Sequence, residues 1–155
     1  MHAEGAHEDA TETSMIRIRF HGRGGHGVKT ASRILGRAAF LEGLHVQDSP
    51  VYGAERRGAP VHAFTRIDTQ PIRERGVIRR PEVIVIGDDS LLEESAPEVL
   101  RGEDTAAVVF VNAESADTVE AKVAEGTRTV VHDVTRVTLD TLGRASALSA
   151  GLAAA

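Results

Sequence analysis

The chain has 155 residues, of which 41% are hydrophobic, and this is the size and composition of one domain with one core. Its formal net charge is −5, so we expect no general electrostatic attraction to nucleic acid or to an anionic membrane. Because the sequence contains no cysteine, it excludes disulfides, thiolate zinc sites and cysteine-ligated iron–sulfur clusters within this chain.

The first fourteen residues are acidic and polar, and they lack the positively charged start and apolar stretch of a secretory signal. We therefore expect residues 1–14 to be a flexible tail and residues 15–155 to form a single domain. Eighteen apolar residues never occur in a row, which predicts that the chain has no membrane span and is cytoplasmic.

Residues 15–20 alternate apolar and polar side chains and predict a strand, and residues 28–42 predict a helix with one apolar face that Gly43 ends. Alternation also predicts strands at 44–50 and 61–68. The continuous apolar run at 82–89 favours a strand covered on both faces. A helix interrupted near Pro97 follows at 89–100, then buried strands at 106–112 and 128–134, and an alanine-rich helical end at 139–155.

This succession of strands and helices predicts the fold class. Strands that are separated by helices are typical of a largely parallel sheet with helices on both faces. We therefore expect an α/β, Rossmann-like three-layer domain.

Four glycines lie within the stretch "HGRGGHGVKTA", between the first strand and the first helix. Gly22, Gly24 and Gly27 have the G-x-G-x-x-G spacing of a dinucleotide-binding turn, and Asp48 lies where such an enzyme carries its ribose-binding acid. Together with the positive end of the helix dipole, these glycines could hold a phosphate. A well-packed turn without any ligand explains the same pattern, so both interpretations stay open.

A second dense stretch, "SPVYGAERRGAPVHAFTRI" at 49–67, is richer than a simple connection between strands. This stretch resembles the P-x-Y-G-x-E-x-R-G-G segment of the gamma subunits of 2-oxoacid:ferredoxin (acceptor) oxidoreductases. The segment "GRGGHGVKTASRILGRAAF" is similar to the G-x-G-G-Q-G-V-x-T-A motif of the same family, and "PIRERGVIRRPEVIVIGDDSLL" resembles its continuation. His26 stands where the family usually has glutamine, and Ala59 replaces the second glycine of the R-G-G pair.

The resemblance implies membership of a complex that converts a 2-oxoacid and coenzyme A into an acyl-CoA and carbon dioxide, with pyruvate as the default substrate. It implies alpha, beta and delta-type partner subunits, and ferredoxin or another electron acceptor. Thiamine diphosphate, Mg²⁺, iron–sulfur clusters and coenzyme A act in such a complex, none of them bound securely by this chain. The lack of cysteine fits a gamma component.

The resemblance also implies the candidate binding residues, which lie in the two glycine-rich stretches. They are Gly22, Gly24, Gly25, His26, Gly27, Tyr52, Glu55, Arg57 and Gly58. Glu55 and Arg57 could form an ion pair that fixes the loop, and we favour this interpretation because arginine side chains commonly hold loops in shape. Arg57 could instead bind a carboxylate or phosphate of the substrate or of coenzyme A. Tyr52 is either an interface anchor or a packing residue.

Other polar residues indicate no catalytic or metal site. None of the histidines forms an i, i+4 pair with a nearby acid, and Asp88 and Asp89 suit the capping of the helix that follows them. The stretch "RERGVIRR" has four arginines in eight residues and predicts a solvated or subunit-facing surface rather than a nucleic-acid site. The alternatives to a gamma component are a free-standing NAD- or flavin-dependent oxidoreductase and a non-catalytic scaffold.

Overall fold

In a computed structural model, residues 15–51, 57–144 and 148–154 are described. Their six strands form one sheet in the order β2-β3-β1-β4-β5-β6. The strands are β1 (Ile16–Arg23), β2 (His45–Pro50), β3 (Pro60–Asp68), β4 (Val83–Ile86), β5 (Val108–Asn112) and β6 (Thr129–His132). Strand β3 is antiparallel to both of its neighbours, β2 and β1, whereas β1, β4, β5 and β6 pair in parallel. The predicted largely parallel sheet is confirmed.

Helix α1 (Val28–Leu41) crosses from β1 to β2 and ends as the sequence predicts. Gly43 has φ +87° and donates its N–H to the carbonyl of Phe40, while Leu44 donates to Ala39. This pair of bonds is a Schellman cap, which satisfies the last carbonyls of the helix and needs a residue in the left-handed region at the position of Gly43.

Two apolar layers cover the two faces of the sheet. On one face, Phe20, Val85 and Phe110 pack against α1 and against two C-terminal helices, α5 (Val134–Leu142) and α6 (Leu148–Ala154). On the other face, Ile84, Ile86, Val109 and Val111 pack against the one-turn helices α2 (Leu91–Glu94), α3 (Ala96–Val99) and α4 (Asp117–Glu120). Strands β4 and β5 are therefore covered on both sides, and the three-layer expectation is confirmed.

The single interrupted helix expected at 89–100 is instead the pair α2 and α3, which meet at Ser95. Pro97 has no N–H to donate and its ring would collide with the preceding turn of a continuous helix, so the chain restarts and places the proline in the first turn of α3. The short 3₁₀ turn at Glu103–Thr105 and the helix α4 were not predicted.

Two other expectations need correction. Strand β6 is an edge strand, with Val130 39% exposed and His132 exposed, whereas its apolar composition predicted a fully buried strand. The C-terminal helical region begins at Val134, five residues earlier than expected, because Asp133 caps α5 by accepting the N–H of Arg136. It is interrupted at Gly143, which has φ +67°.

Candidate functional site

The glycine-rich turn connects the end of β1 to the start of α1. Gly25 has φ +91° and Gly27 has φ +75°, a region that residues with a Cβ rarely adopt. The N–H of His26 donates to the carbonyl of Arg23, which closes the turn. The conformation of this turn therefore requires glycine at positions 25 and 27, with or without a ligand.

Gly22 and Gly27 also allow two helices to approach the turn closely. A Cβ on Gly22 would lie 2.1 Å from Val28 Cγ2 in α1, and one on Gly27 would lie 2.8 Å from Ser149 Cβ in α6. Gly87, just after β4, similarly leaves room for Leu152 Cδ1, which would be 2.9 Å from a Cβ. Helix packing thus explains two of the three glycines that match the dinucleotide-binding spacing.

The structure brings the second glycine-rich stretch against the first. Gly24 donates its N–H to the carbonyl of Ala59 at 2.8 Å, and Gly58 donates to the carbonyl of Gly24 at 3.0 Å. Arg23 Nη1 donates to the carbonyl of Gly58 at 3.0 Å. Two candidate residues, Tyr52 and Glu55, lie outside the described residues. The predicted ion pair between Glu55 and Arg57 therefore stays a prediction.

Arg23 also attaches this double turn to α2. Its guanidinium donates to Ser90 Oγ at 2.6 Å and to Glu94 Oε1 at 2.7 Å, and its Nε lies 3.5 Å from Asp88 Oδ2. The hydrogen bond to Glu94, helped by both carboxylates, raises the pKa of Arg23 above its ordinary value. Sequence reasoning placed no function on Arg23, whose side chain connects three loops.

Asp88 and Asp89 were expected at the cap of the next helix, but the N-cap of α2 is Ser90, which makes no side-chain capping bond. The carboxylate of Asp88 instead accepts the N–H of Ser90 at 3.1 Å. Its second oxygen lies 3.5 Å from His26 Nδ1 and from the Nε of Arg23. The side chain of the exposed His26 therefore lies beside a carboxylate, at the position where the family usually has glutamine.

A groove of about 1270 Å³ opens beside the turn. It lies at the carboxyl ends of β1, β4, β5 and β6, where the strand order reverses and where open α/β sheets bind ligands. Gly25, His26 and Arg57 line one part of it. The carboxylates of the lining are Asp88, Asp89, Glu114, Asp133 and Asp140.

The charge of this groove is unfavourable for a polyanion. Among the described residues that line it, five carboxylates accompany two arginines, and one of these, Arg136, lies 3.8 Å from Asp140. The exposed Arg57 lies on the rim, with its Cγ 3.8 Å from the position of a Cβ on Gly25. Because carboxylates outnumber arginines in this lining and Arg136 is close to Asp140, an anion in the groove would be best accommodated near Arg57.

Asp48 does not face this groove. Its carboxylate accepts a short hydrogen bond from Ser32, a buried residue of α1. Strand β3 separates β2 from β1, so Asp48 is two strands away from the glycine-rich turn. The ribose contact expected for a dinucleotide-binding enzyme does not fit this topology, and the NAD interpretation loses its geometric basis.

Sequence reasoning missed Asn112, a buried residue at the end of β5 that organises the floor of the groove. Its Oδ1 accepts the N–H groups of Val134 and Thr135 at 2.8 and 3.2 Å, and its Nδ2 donates to the carbonyl of Gly87 at 3.0 Å. It therefore joins the ends of two strands to the start of α5. The only signal in the sequence was a polar residue directly after a buried apolar run.

His21 was expected beside the glycine-rich turn, but it lies within β1 and is only 6% exposed. Burial, with smaller contributions from Arg19 and His62, lowers the pKa of His21 to about 3. Its Nε2 has no hydrogen-bond partner among the described residues. His21 is thus a neutral residue of the interior and not a groove ligand.

Within the described residues, no group of three or more histidine, aspartate or glutamate side chains could hold a metal ion. None of the helices of the same residues is long and apolar enough to cross a bilayer.

Comparison with known proteins gives consistent matches. Residues 17–155 match the family described as pyruvate ferredoxin/flavodoxin oxidoreductase. The chain is 47% identical over 131 residues to the pyruvate/ketoisovalerate oxidoreductases common subunit gamma of Pyrococcus furiosus, covering 83% of this chain and 70% of that protein. It is 45% identical over 132 residues to pyruvate synthase subunit PorC of Methanothermobacter thermautotrophicus, covering 84% and 68%.

A solved structure is similar in fold as well as in sequence. The crystal structure of pyruvate oxidoreductase subunit PORC from Thermotoga maritima has a TM-score of 0.74 and 33% identity to this chain. The similarity covers 91% of this chain and 74% of the other.

Proposed function

The chain belongs to the pyruvate ferredoxin/flavodoxin oxidoreductase family, and we propose that it is the gamma component of a 2-oxoacid:ferredoxin (acceptor) oxidoreductase complex. This complex oxidatively decarboxylates a 2-oxoacid with coenzyme A to an acyl-CoA and carbon dioxide, and the electrons pass to ferredoxin or another acceptor. Pyruvate is the expected substrate because both curated relatives are named for it.

The donor groups of this chain support a role without its own redox centre. The sequence has no cysteine, so it offers no thiolate to an iron–sulfur cluster. The described residues also bring together no group of three acids or histidines for a metal ion. We infer that thiamine diphosphate, Mg²⁺ and the clusters are bound by alpha, beta and delta-type partner subunits.

The hydrogen bonds of the glycine-rich turn support an architectural role. Gly24, His26 and Gly58 use their N–H groups inside the two loops. A phosphate-binding turn directs several such N–H groups at its ligand instead. This internal bonding is the observation that carries the proposal, because the N–H groups of Gly24 and Gly58 join the two glycine-rich stretches instead of facing a ligand.

Exposed apolar side chains support assembly with other chains. On α1, Ile34 is 42%, Phe40 58% and Leu41 67% exposed, and on α5 Leu142 is 53% exposed. Large apolar side chains that stay in contact with water on neighbouring turns of a helix are typical of subunit interfaces.

The first experiment is a gentle pull-down of the chain from its host, followed by identification of the co-purifying subunits by mass. The eluate is assayed for reduction of a viologen dye that depends on both a 2-oxoacid and coenzyme A, with a panel of 2-oxoacids to identify the substrate. We expect cluster-bearing and thiamine-diphosphate-binding subunits together with this activity. A lone chain that binds NAD would overturn the proposal.

Arg57 is the residue for which a direct ligand contact is proposed. It is the exposed cation of the rim, so we expect it to contact a phosphate of coenzyme A bound mainly by a neighbouring subunit. In the complex, Arg57→Ala should raise KM for coenzyme A several-fold and leave kcat and assembly unchanged. The matched control is Arg128→Ala, at an exposed arginine just before β6 that does not line the groove, and it should alter neither. Loss of assembly in Arg57→Ala alone would show that the arginine holds the interface instead.

A further inference from the structure

A basic loop lies at the end of the sheet opposite the groove. Residues 69–82, here called the arginine loop, connect the end of β3 to the start of β4 without regular secondary structure. Arg73, Arg75, Arg79 and Arg80 are all exposed, and Val77 between them is 63% exposed. This concentration of positive charge occurs in a chain with a net charge of −5.

Buried arginines of the sheet hold this loop in place. Arg66 is fully buried in β3, and its guanidinium donates to the carbonyl of Gly76 at 2.8 Å and to Gln47 Oε1 at 2.9 Å. Arg19 of β1, 4% exposed, donates to the carbonyl of Ile78 at 3.3 Å. The loop is therefore ordered from beneath before any partner binds, which lowers the entropy cost of binding.

The acidic residues of the loop are already engaged from the same side. Glu74 accepts hydrogen bonds from Arg17 at 2.8 and 3.0 Å and lies 3.4 Å from Arg66, and Glu82 pairs with Arg17 at 3.2 Å. The bonds to Arg17 and Arg66 lower the pKa of Glu74, so it stays ionised and paired.

The outward arginines have no such partners. Within the described residues, Arg73, Arg79 and Arg80 make no ion pair, and Arg75 donates only to the backbone carbonyls of Ile72 and Glu74. Arg79, Arg80 and Val77 line a cavity of about 520 Å³ with Arg17 and the two glutamates. An ordered surface with unpaired guanidinium groups around an exposed apolar residue has the composition of a protein interface.

We propose that the arginine loop is a docking surface for an acidic segment of a neighbouring subunit of the complex. The inference rests on the proposed function, because it needs a complex in which to act. Guanidinium forks bind carboxylates in a bidentate manner, so a segment with several aspartates or glutamates would complement Arg73, Arg79 and Arg80 while its apolar side chains contact Val77.

The test uses the whole complex, reconstituted from this chain and a preparation of the other subunits that lacks it. The variant is Arg79→Glu, and the control is Arg128→Glu, which changes the charge by the same amount at an exposed arginine outside both the loop and helix α1. We expect the first variant to weaken assembly about tenfold or more at low salt and to reduce its salt dependence. The control should bind like the unaltered chain. Equal behaviour of the two variants would overturn the inference.

A second measurement identifies the partner and does not depend on a loss of binding. Because the chain has no cysteine, Arg79→Cys introduces a single thiol that a maleimide-linked photo-cross-linker labels selectively. In the assembled complex we expect a cross-link to an acidic peptide of another subunit, and Arg33→Cys should not give that product. A cross-link to nucleic acid, to a non-acidic segment or to no other molecule would refute the proposal.

Failure of this inference is distinguishable from failure of the proposed function. If the unaltered chain joins no complex and the pull-down gives no 2-oxoacid-dependent activity, both proposals fail. If the complex forms and is active but both charge variants assemble equally well, only the docking surface is wrong.

Discussion

Replacing Gly22 by alanine tests whether the glycine-rich turn is shaped by helix packing. Gly22 lies in β1, and the structure does not require a positive φ there. The new Cβ would be 2.1 Å from Val28 Cγ2, whereas apolar carbons in ordinary contact are about 4 Å apart. One of the two groups must therefore move by more than 1 Å, on the order of a methyl radius.

Val28 has little room in which to move. It is 2% exposed and belongs to the apolar cluster between α1 and the sheet, and its Cγ2 would also lie 3.7 Å from a Cβ on Gly87. Valine in a helix has one strongly preferred rotamer, so turning Cγ2 away is unfavourable. Overpacking of this kind costs about 1–3 kcal/mol, offset by roughly 0.5 kcal/mol because alanine loses less entropy than glycine in a strand.

The assay is urea unfolding of the purified chain, followed by far-ultraviolet circular dichroism because the chain has no tryptophan. Gly22→Ala should lower the free energy of unfolding by about 0.5–2.5 kcal/mol, the overpacking cost less the entropy gain. Val28→Ala should lower it by about 2 kcal/mol through lost burial. The double variant should be more stable than the sum of the two losses predicts, by at least about 1 kcal/mol, because removing Cγ2 makes room for the new Cβ.

The control is Gly126→Ala, which strains a residue with φ +88° but has no atom within 4 Å of the new Cβ. Its loss should add to that of Val28→Ala within about 0.5 kcal/mol. The packing explanation is wrong if Gly22→Ala and Val28→Ala also add. Unchanged stability of Gly22→Ala with lost activity of the complex would instead show that the backbone at Gly22 contacts a ligand.

Two further predictions concern buried cations and histidines. The pKa of His21 is about 3 in the folded chain against an ordinary 6.5, so between these two pH values only the unfolded chain binds the proton. The free energy of unfolding should therefore be highest above pH 6.5 and should fall by roughly 1.5 kcal/mol between pH 6.5 and pH 5. His21→Leu should flatten this dependence in urea unfolding at each pH while His132→Gln should not, and an unchanged slope in His21→Leu would contradict the assignment. Arg66→Met should cost about 2–4 kcal/mol and speed tryptic cleavage at Arg73 to Arg80, because Gln47 and the carbonyl of Gly76 lose their donor while Glu74 keeps only Arg17. Arg33→Met is the control, and equal cleavage rates would show that Arg66 does not order the loop.

The strands of the sheet and helix α1 could be predicted from the sequence because the spacing of apolar residues follows directly from which side chains are buried. Residues 83–86 and 106–111 are continuously apolar, and β4 and β5 are covered on both faces. The same composition at 128–134 predicted a buried strand, yet β6 is at the edge. Local composition shows how apolar a strand is, but it does not show whether the strand has one neighbour or two. That number depends on the order of the strands in the sheet.

The polar interior could not be predicted for a related reason. Arg19, Arg66 and His21 alternate with apolar residues in β1 and β3, and such alternation ordinarily places the polar face in water. Here the arginine loop and the segment after α3 cover that face, and Arg19 donates to the carbonyls of Val99 and Arg101 at 2.7 and 2.6 Å. The residues that cover Arg19 are 59 to 82 positions away in sequence, so no local window reveals them.

The glycine pattern illustrates how one physical requirement serves two different structures. A dinucleotide-binding turn needs glycine where the backbone approaches a pyrophosphate and where the helix approaches the strand. In this chain Gly22 provides the approach to α1, but at Gly27 the approaching group is Ser149 of α6. The space above the turn is therefore shaped by the protein's own helix, and the second glycine-rich stretch takes up the N–H of Gly24. Because Gly24 donates its N–H inside the protein, we propose that the outer rim of Gly25, His26 and Arg57 is the part of this turn that meets coenzyme A held by a neighbouring subunit.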